Sequence, residues 1–276
     1  MSESLQDLRK SIDNIDEQIH ELLIKRATIV QKVGEYKKQN NASVKNNIRI
    51  DRECDILSRL IKRHKGDFPL DSLIRIWREI ISASLRIEGD LKISTLKIDS
   101  YKDVDLHKLI HEFFGTYPET APHPSTWQAL KQLDDDNATV CVIPFSNEIE
   151  NNSFWANLSS NLKIVTRLPL IKDFSKSTIE AFVVSKGEYK KTLNDVTLIK
   201  SETKKSMSKT SLKDLVVKHG FDFISFEDAY TFDNRNYNLI SVNGFIDAND
   251  EKLKAIIEEN PQITNMEIIG WYPVIK

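Results

Sequence analysis

Arg26 stands where an apolar side chain belongs. The N-terminal segment runs Leu5, Leu8, Ile12, Ile15, Ile19, Leu22, Ile29, Val33 and Tyr36 in a 3-4 alternation, which is the spacing of one helix face, with Ser4 as its N-cap. Arg26 fills the missing step. Lys37 follows 11 residues later, three turns plus about 20°, so it shares that inward face at ~16 Å along the axis. Two cations pointing into a helical bundle are suited to holding a small anion. Arg9 precedes Arg26 by 17 residues, about 25 Å along the helix and roughly 100° round it. It cannot serve the same pocket within one chain.

Two further helices must complete such a pocket. One is expected from Ile50 to His64, with Ile56, Leu57, Leu60 and Ile61 inward, Arg52-Glu53 in its first turn and Gly66 after its end. The next starts near Pro69, a good first-turn residue, and its stripe runs Leu70, Leu73, Trp77, Ile80, then Ser84 and Glu88, before Gly89 at the C-cap. Ser84 and Glu88 are four apart and so share a face that should be buried. Each polar group has a plain structural account: an inward Arg snorkels or pairs with a core carboxylate, and Lys37 and Ser84 lie near helix ends, close to water. Together, Arg26, Lys37, Arg52, Glu53, Ser84 and Glu88 interrupt or border apolar faces of three short-looped helices. Burying that many polar groups is costly without a ligand, and the excess of cations points to a small dianion.

Composition frames this reading. The chain has 276 residues, enough for two domains or two plus a fragment. With 40% apolar and 29% charged residues it should be globular. The 39 basic and 41 acidic side chains give a net charge of -2, which supplies no field for nucleic acid or an anionic membrane. Cys54 and Cys141 lack metal-ligand spacing and read as free cytosolic thiols, and no apolar stretch suits export or membrane insertion. A cytoplasmic location is expected. Residues 1–90 are all helical in pattern, whereas β-branched runs at 93–98, 138–143 and 178–184 mark a mixed α and β remainder. From Asp195 the expected order is strand 195–200, helix 211–219, strands 221–227 and 237–246, helix 249–259 and strand 266–271, the βαββαβ pattern of ferredoxin-like units. His107 and His111, four apart without a third ligand, read as surface residues.

The pieces LRKSIDNIDEQIHELLIKRATIVQKVGEYK, IDRECDILSRL and IWREIISASLRIE resemble the all-helical chorismate mutases, the class found alone or at the N-terminus of the fused chorismate mutase and prephenate dehydratase. The resemblance implies an all-α three-helix domain in an intertwined homodimer, with Arg9 entering the partner's pocket. It implies that Arg9, Arg26, Lys37, Arg52, Glu53, Ser84 and Glu88 line an active site that converts chorismate to prephenate without cofactor or metal, in Phe and Tyr biosynthesis. Arg9 and Arg26 would clamp carboxylates, Ser84 would add a hydrogen bond, and Glu53 would accept from the ring hydroxyl. Lys37 and Glu88 would bracket the ether oxygen, with Glu88 acting as a donor in its protonated form. The segment KQNNASVKNNIRID is longer than in enteric members, and Arg49 stands where they have an Asp, so its substrate contact differs.

The remainder is similar to prephenate dehydratases in outline only. Neither a GPxGSYS loop nor a Thr-Arg-Phe motif is present in the sequence. The ending NMEIIGWYPVIK resembles the close of an ACT domain, whose effector motifs are replaced by KTSL around Thr210 and FEDAY around Asp228. The expected division is a chorismate mutase domain (1–90), a degenerate dehydratase-like lobe (92–194) and an ACT-like domain (195–276), with an aromatic amino-acid effector left open. The alternatives are a bifunctional mutase and dehydratase, disfavoured by the missing motifs, and a non-enzymatic helical dimer module joined to a ligand-sensing domain, disfavoured by the intact polar constellation.

Overall fold

The computed structural model describes residues 4–39, 48–89, 91–98, 101–145, 153–186 and 189–275. Most of the longer segment between Lys37 and Arg52, residues 40–47, lies outside them. Three helices come first: α1 (Leu5–Gln39), α2 (Ile50–Arg63) and α3 (Leu70–Glu88). Ser4 caps α1: its hydroxyl accepts from the Asp7 amide, and the Asp7 carboxylate accepts from the Ser4 amide at 3.3 Å, so two backbone donors at the helix start are satisfied locally. Pro69 precedes α3 and Gly89 follows it.

The apolar stripe of α1 does not lie inward within this chain. Leu5, Ile12, Ile15, Ile19, Leu22, Ile29 and Tyr36 are each more than half exposed, and Gly34 is the buried residue of the helix. The long helix touches α3 at Arg26, Gly34 and Lys37 and leaves its hydrophobic edge bare. The buried face of α3 is also wider than a single stripe. It includes Ile74, Arg78, Ile81, Ser82 and Ser84, because α3 is packed by α1 and α2 on one side and by a further helix, α4 (Tyr101–Phe114), on the other.

Among the described residues, the remainder is built on one mixed sheet of nine strands in the order β2-β1-β3-β5-β4-β9-β6-β8-β7. Its first five strands are β1 (Lys92–Leu96), β2 (Glu119–His123), β3 (Val140–Phe145), β4 (Lys163–Leu168) and β5 (Glu180–Ser185), with α4 and α5 (Thr126–Asp134) among them. The parallel trio β2-β1-β3 has α4 and α5 as its crossovers. The last four strands are β6 (Asp195–Lys204), β7 (Phe223–Phe232), β8 (Arg235–Asn243) and β9 (Ile263–Pro273), with α6 (Lys209–Lys218) and α7 (Glu251–Glu259). This stretch follows the expected βαββαβ order, and β9-β6-β8-β7 is fully antiparallel. Asp233 and Asn234, both at positive φ, make the two-residue β7–β8 turn, a conformation that Asp and Asn tolerate better than most residues.

The sheet runs unbroken across residue 194. Strand β4 pairs in parallel with β9 at Ile164 and Gly270, and a Cβ at Gly270 would fall 2.3 Å from the Ile164 carbonyl oxygen. Only glycine permits that approach. Side chains reinforce the junction. Arg167 donates to Glu180 at 2.8 Å and to Glu227 at 2.9 Å, Trp155 Nε1 donates to Asp228 at 2.8 Å, and Lys200 reaches the Ala156 carbonyl at 3.1 Å. Glu227 and Asp228, the carboxylates of FEDAY, therefore lie on a strand and bind the preceding lobe rather than forming a loop. The helical domain sits on this sheet through Ile48, Ile50 and Cys54, which share one core with Ile93, Leu106, Ile110 and Val142.

Candidate active site

A cavity of about 580 Å³ lies between α1, α2 and α3. Its polar lining comprises Lys25, Arg26, Lys37, Arg49, Arg52, Glu53, Ser84 and Glu88, and Leu22, Ile29, Val33, Ile56, Ile81 and Leu85 supply apolar wall. Among the described residues, five cationic side chains stand against two carboxylates in this lining, a balance suited to a small anion. The helical period explains the convergence, since Ser84 and Glu88 are one turn apart on α3 and face Arg26 and Lys37, three turns apart on α1.

The contacts are specific. Arg26 Nη1 donates to the Ser84 hydroxyl and, at 3.5 Å, to the Ile80 carbonyl, while Ser84 Oγ donates to the same carbonyl at 2.7 Å. Lys37 Nζ and Glu88 Oε2 are 2.5 Å apart. Burial and, after it, the neighbouring Arg52 disfavour the Arg26 cation, with Glu88 opposing them, so an incoming carboxylate would relieve a partly desolvated charge. Gly34 brings α1 close to this point: a methyl there would lie 3.5 Å from Glu88 Cα.

Arg49 lies at the cavity edge just before α2, its Nε and Nη2 bonded to the two Asp51 oxygens at 2.9 and 2.5 Å. Arg52 is exposed at the rim. Glu53 lines the cavity but is held from behind. Its Oε2 accepts from Arg78 Nη1 at 2.9 Å, and both side chains are at most 7% exposed. Burial pushes the Glu53 carboxyl up from the usual carboxylate range, and Arg78 pulls it back down. Arg78 escaped the sequence reading because it falls beside the apolar stripe drawn through Trp77 and Ile80. The step Ile74, Arg78, Ile81 would have revealed it as an inward cation on a second face. Arg9 is exposed on α1 and does not line the cavity.

Other chemistry-bearing residues lie elsewhere. His107 pairs with Asp103 at 3.7 Å, and among the described residues no cluster of three metal-ligating side chains occurs. Cys54 and Cys141 are buried, and burial pushes both thiols up, Cys141 to about 12. A second cavity of about 290 Å³, lined by Met207, Lys209, Tyr230 and Asn238 among others, lies beside α6 and does not include Glu227 or Asp228 in its lining. No helix among the described residues is long and apolar enough to cross a membrane.

Residues 8–89 match the family described as chorismate mutase type II. Among curated proteins, the chain is 33% identical over 169 residues to the bifunctional chorismate mutase/prephenate dehydratase of Aquifex aeolicus, covering 59% of this chain and 45% of that protein. It is 30% identical over 156 residues to the protein of the same name from Neisseria gonorrhoeae, covering 55% and 41%. The chain spans less than half the length of these relatives. Among solved structures, prephenate dehydratase from Streptococcus mutans aligns at 16% identity with a TM-score of 0.42, covering 67% of this chain and all of that one. The N-terminal helical region is thus a chorismate mutase type II domain, borne by a chain homologous to the bifunctional chorismate mutase/prephenate dehydratases.

Proposed function

We propose that the protein is a chorismate mutase that converts chorismate to prephenate in phenylalanine and tyrosine biosynthesis. The reaction is a unimolecular rearrangement: the ether C–O bond breaks as a C–C bond forms, and the atoms of substrate and product are the same. No nucleophile is needed. The site must hold a flexible dianion in its compact conformer and stabilise charge gathering on the ether oxygen. The observation that supports this reading is the cation-rich cavity of about 580 Å³ within a chorismate mutase type II domain.

In this reading Arg26 binds one substrate carboxylate with help from Ser84, and Lys37 donates to the ether oxygen. Substrate enters between Lys37 and Glu88, so their ion pair opens and the two side chains bracket that oxygen. Glu53 accepts from the ring hydroxyl, while Arg49 and Arg52 border the pocket. Arg9 serves the pocket of a second copy, and the bare stripe of α1 is the dimer surface that carries it there. Burying that stripe would gain roughly 25 cal/mol for each Å² removed from water. Residues 92–194 are proposed as a degenerate dehydratase-like lobe and residues 195–276 as an ACT-like unit. The antiparallel order β9-β6-β8-β7 supports the latter. The test is chorismate disappearance with purified protein, with and without phenylalanine, tyrosine and tryptophan. Failure to consume chorismate would refute the proposal.

A further inference from the structure

We propose that Arg78 is a positioning residue for Glu53, and that through it the end of α4 braces the proposed mutase site from the sheet half of the molecule. This deepens the mutase reading and rests on it. Arg78 makes three contacts. Nη1 donates to Glu53 Oε2 at 2.9 Å, Nε donates to the Phe113 carbonyl at 2.5 Å, and the guanidinium lies 3.8 Å over the Phe113 ring. A planar fork with donors on two edges can bind two acceptors and stack at once, which the point charge of a lysine cannot.

The anchor at Phe113 is fixed. Its carbonyl belongs to the last turn of α4, where backbone acceptors lack helical partners and the helix dipole is negative. Gly115, at φ +80, ends the helix against α3, and a Cβ there would fall 2.8 Å from Glu79 and 2.9 Å from Ser82. The Thr116 amide donates to Glu79 Oε1 at 3.2 Å. The end of α4 is therefore wedged on α3, and the guanidinium has one seat. Glu53, lining the cavity on the other side, takes its position from that seat.

The brace also sets charge. Glu53 accepts from a hydroxyl best as a carboxylate, and burial disfavours that form. The groups around it are Asp51, Arg52 and Cys54 from α2, Arg78 and Glu88 from α3, Arg26 and Lys37 across the cavity on α1, Arg49 at its edge, and the Phe113 carbonyl from α4. Asp51 and Glu88 act with burial, whereas Arg78 acts against it and is bonded directly. Its loss should therefore make Glu53 take up a proton at higher pH.

The test is the pH dependence of kcat/KM for chorismate disappearance with the full chain. In Arg78→Met the acid limb should move to higher pH by about 1–3 units, the size of an adjacent opposite charge, with kcat/KM on the plateau lowered about 10- to 100-fold. Arg78→Lys, which keeps the charge but not the fork, should bring the limb back towards the wild-type position while leaving the plateau low. An unchanged limb and plateau in Arg78→Met would overturn the proposal. Should Arg78→Met fail to fold, Arg78→Lys decides the question: a plateau lowered about 10-fold or more supports the brace, and a wild-type plateau overturns it. A wild type that leaves chorismate unconsumed would instead refute the mutase reading on which the brace depends.

Discussion

Lys37 on α1 and Glu88 at the end of α3 meet at 2.5 Å across the wall of the cavity. Opposite charges so close, and only partly exposed, hold the two helices together when nothing is bound. A substrate oxygen inserted between them replaces one partner of each. Lys37→Ala should therefore lower kcat/KM by about 10²–10³-fold, the cost of losing a donor to developing charge in a water-excluded site. It should change stability far less. Steady-state kinetics beside urea unfolding separates the two effects.

Glu88→Gln puts a permanent donor beside the ether oxygen. Its kcat/KM should stay within about 10-fold of wild type, whereas Glu88→Leu, which leaves no polar group there, should lower it by about 10²–10³-fold. Equal losses in the two variants would leave Glu88 with a structural role.

Arg9 and Arg26 lie on one helix and yet belong to different pockets in the proposed dimer. Arg9→Ala and Arg26→Ala proteins, each inactive alone, should recover activity on subunit exchange, because each hybrid then holds one intact pocket. Activity that stays absent after exchange is verified by mass would exclude the shared site.

The buried Glu53–Arg78 pair gives stability a pH slope. Glu53 is pushed up in the fold, chiefly by burial, so its contribution is full below its unfolded pKa and is lost as pH rises through the folded one. Relative to wild type, Glu53→Gln should gain stability as pH rises through that window. Urea midpoints of both proteins across a pH series measure this directly.

The junction within the sheet behaves oppositely. Burial raises Glu180 and Glu227, but Arg167, with Lys172 at Glu180 and serine hydroxyls at Glu227, outweighs it and holds both below the usual range. Their contribution is present above the unfolded carboxylate pKa and is lost as pH falls through the depressed one. Arg167→Met leaves Glu180 with Lys172 alone and Glu227 with only serine hydroxyls, and should cost roughly 3 kcal/mol at neutral pH. That cost should shrink in acid, as denaturant unfolding would register.

The sequence carries the helical domain almost whole, because polar residues breaking a 3-4 spacing are visible without coordinates. Arg26, Lys37, Ser84 and Glu88 are marked by the rule they break. Arg78 breaks no rule on the stripe drawn through Trp77, since its burial depends on α4, which joins α3 from a distant part of the chain. The order of elements after Asp195 is likewise legible from alternation and turn residues. That β4 would meet β9 is not, because parallel pairing between strands some hundred residues apart leaves no local signal. Nor does FEDAY announce that its carboxylates are held by Arg167 and Trp155.

Gly270 against Ile164 has a consequence for how the chain can be divided. Each half of the sheet closes the other's open edge there. A fragment ending before Asp195 would present β4 as a bare row of donors and acceptors, and a fragment beginning at Asp195 would present β9 in the same way. Such edges recruit whatever strand is at hand, including copies of themselves. Proteolytic nicking between the halves would therefore yield sticky products rather than two independent modules, and any transplant of the C-terminal unit into another scaffold would have to bring its own strand to stand where β4 stands now.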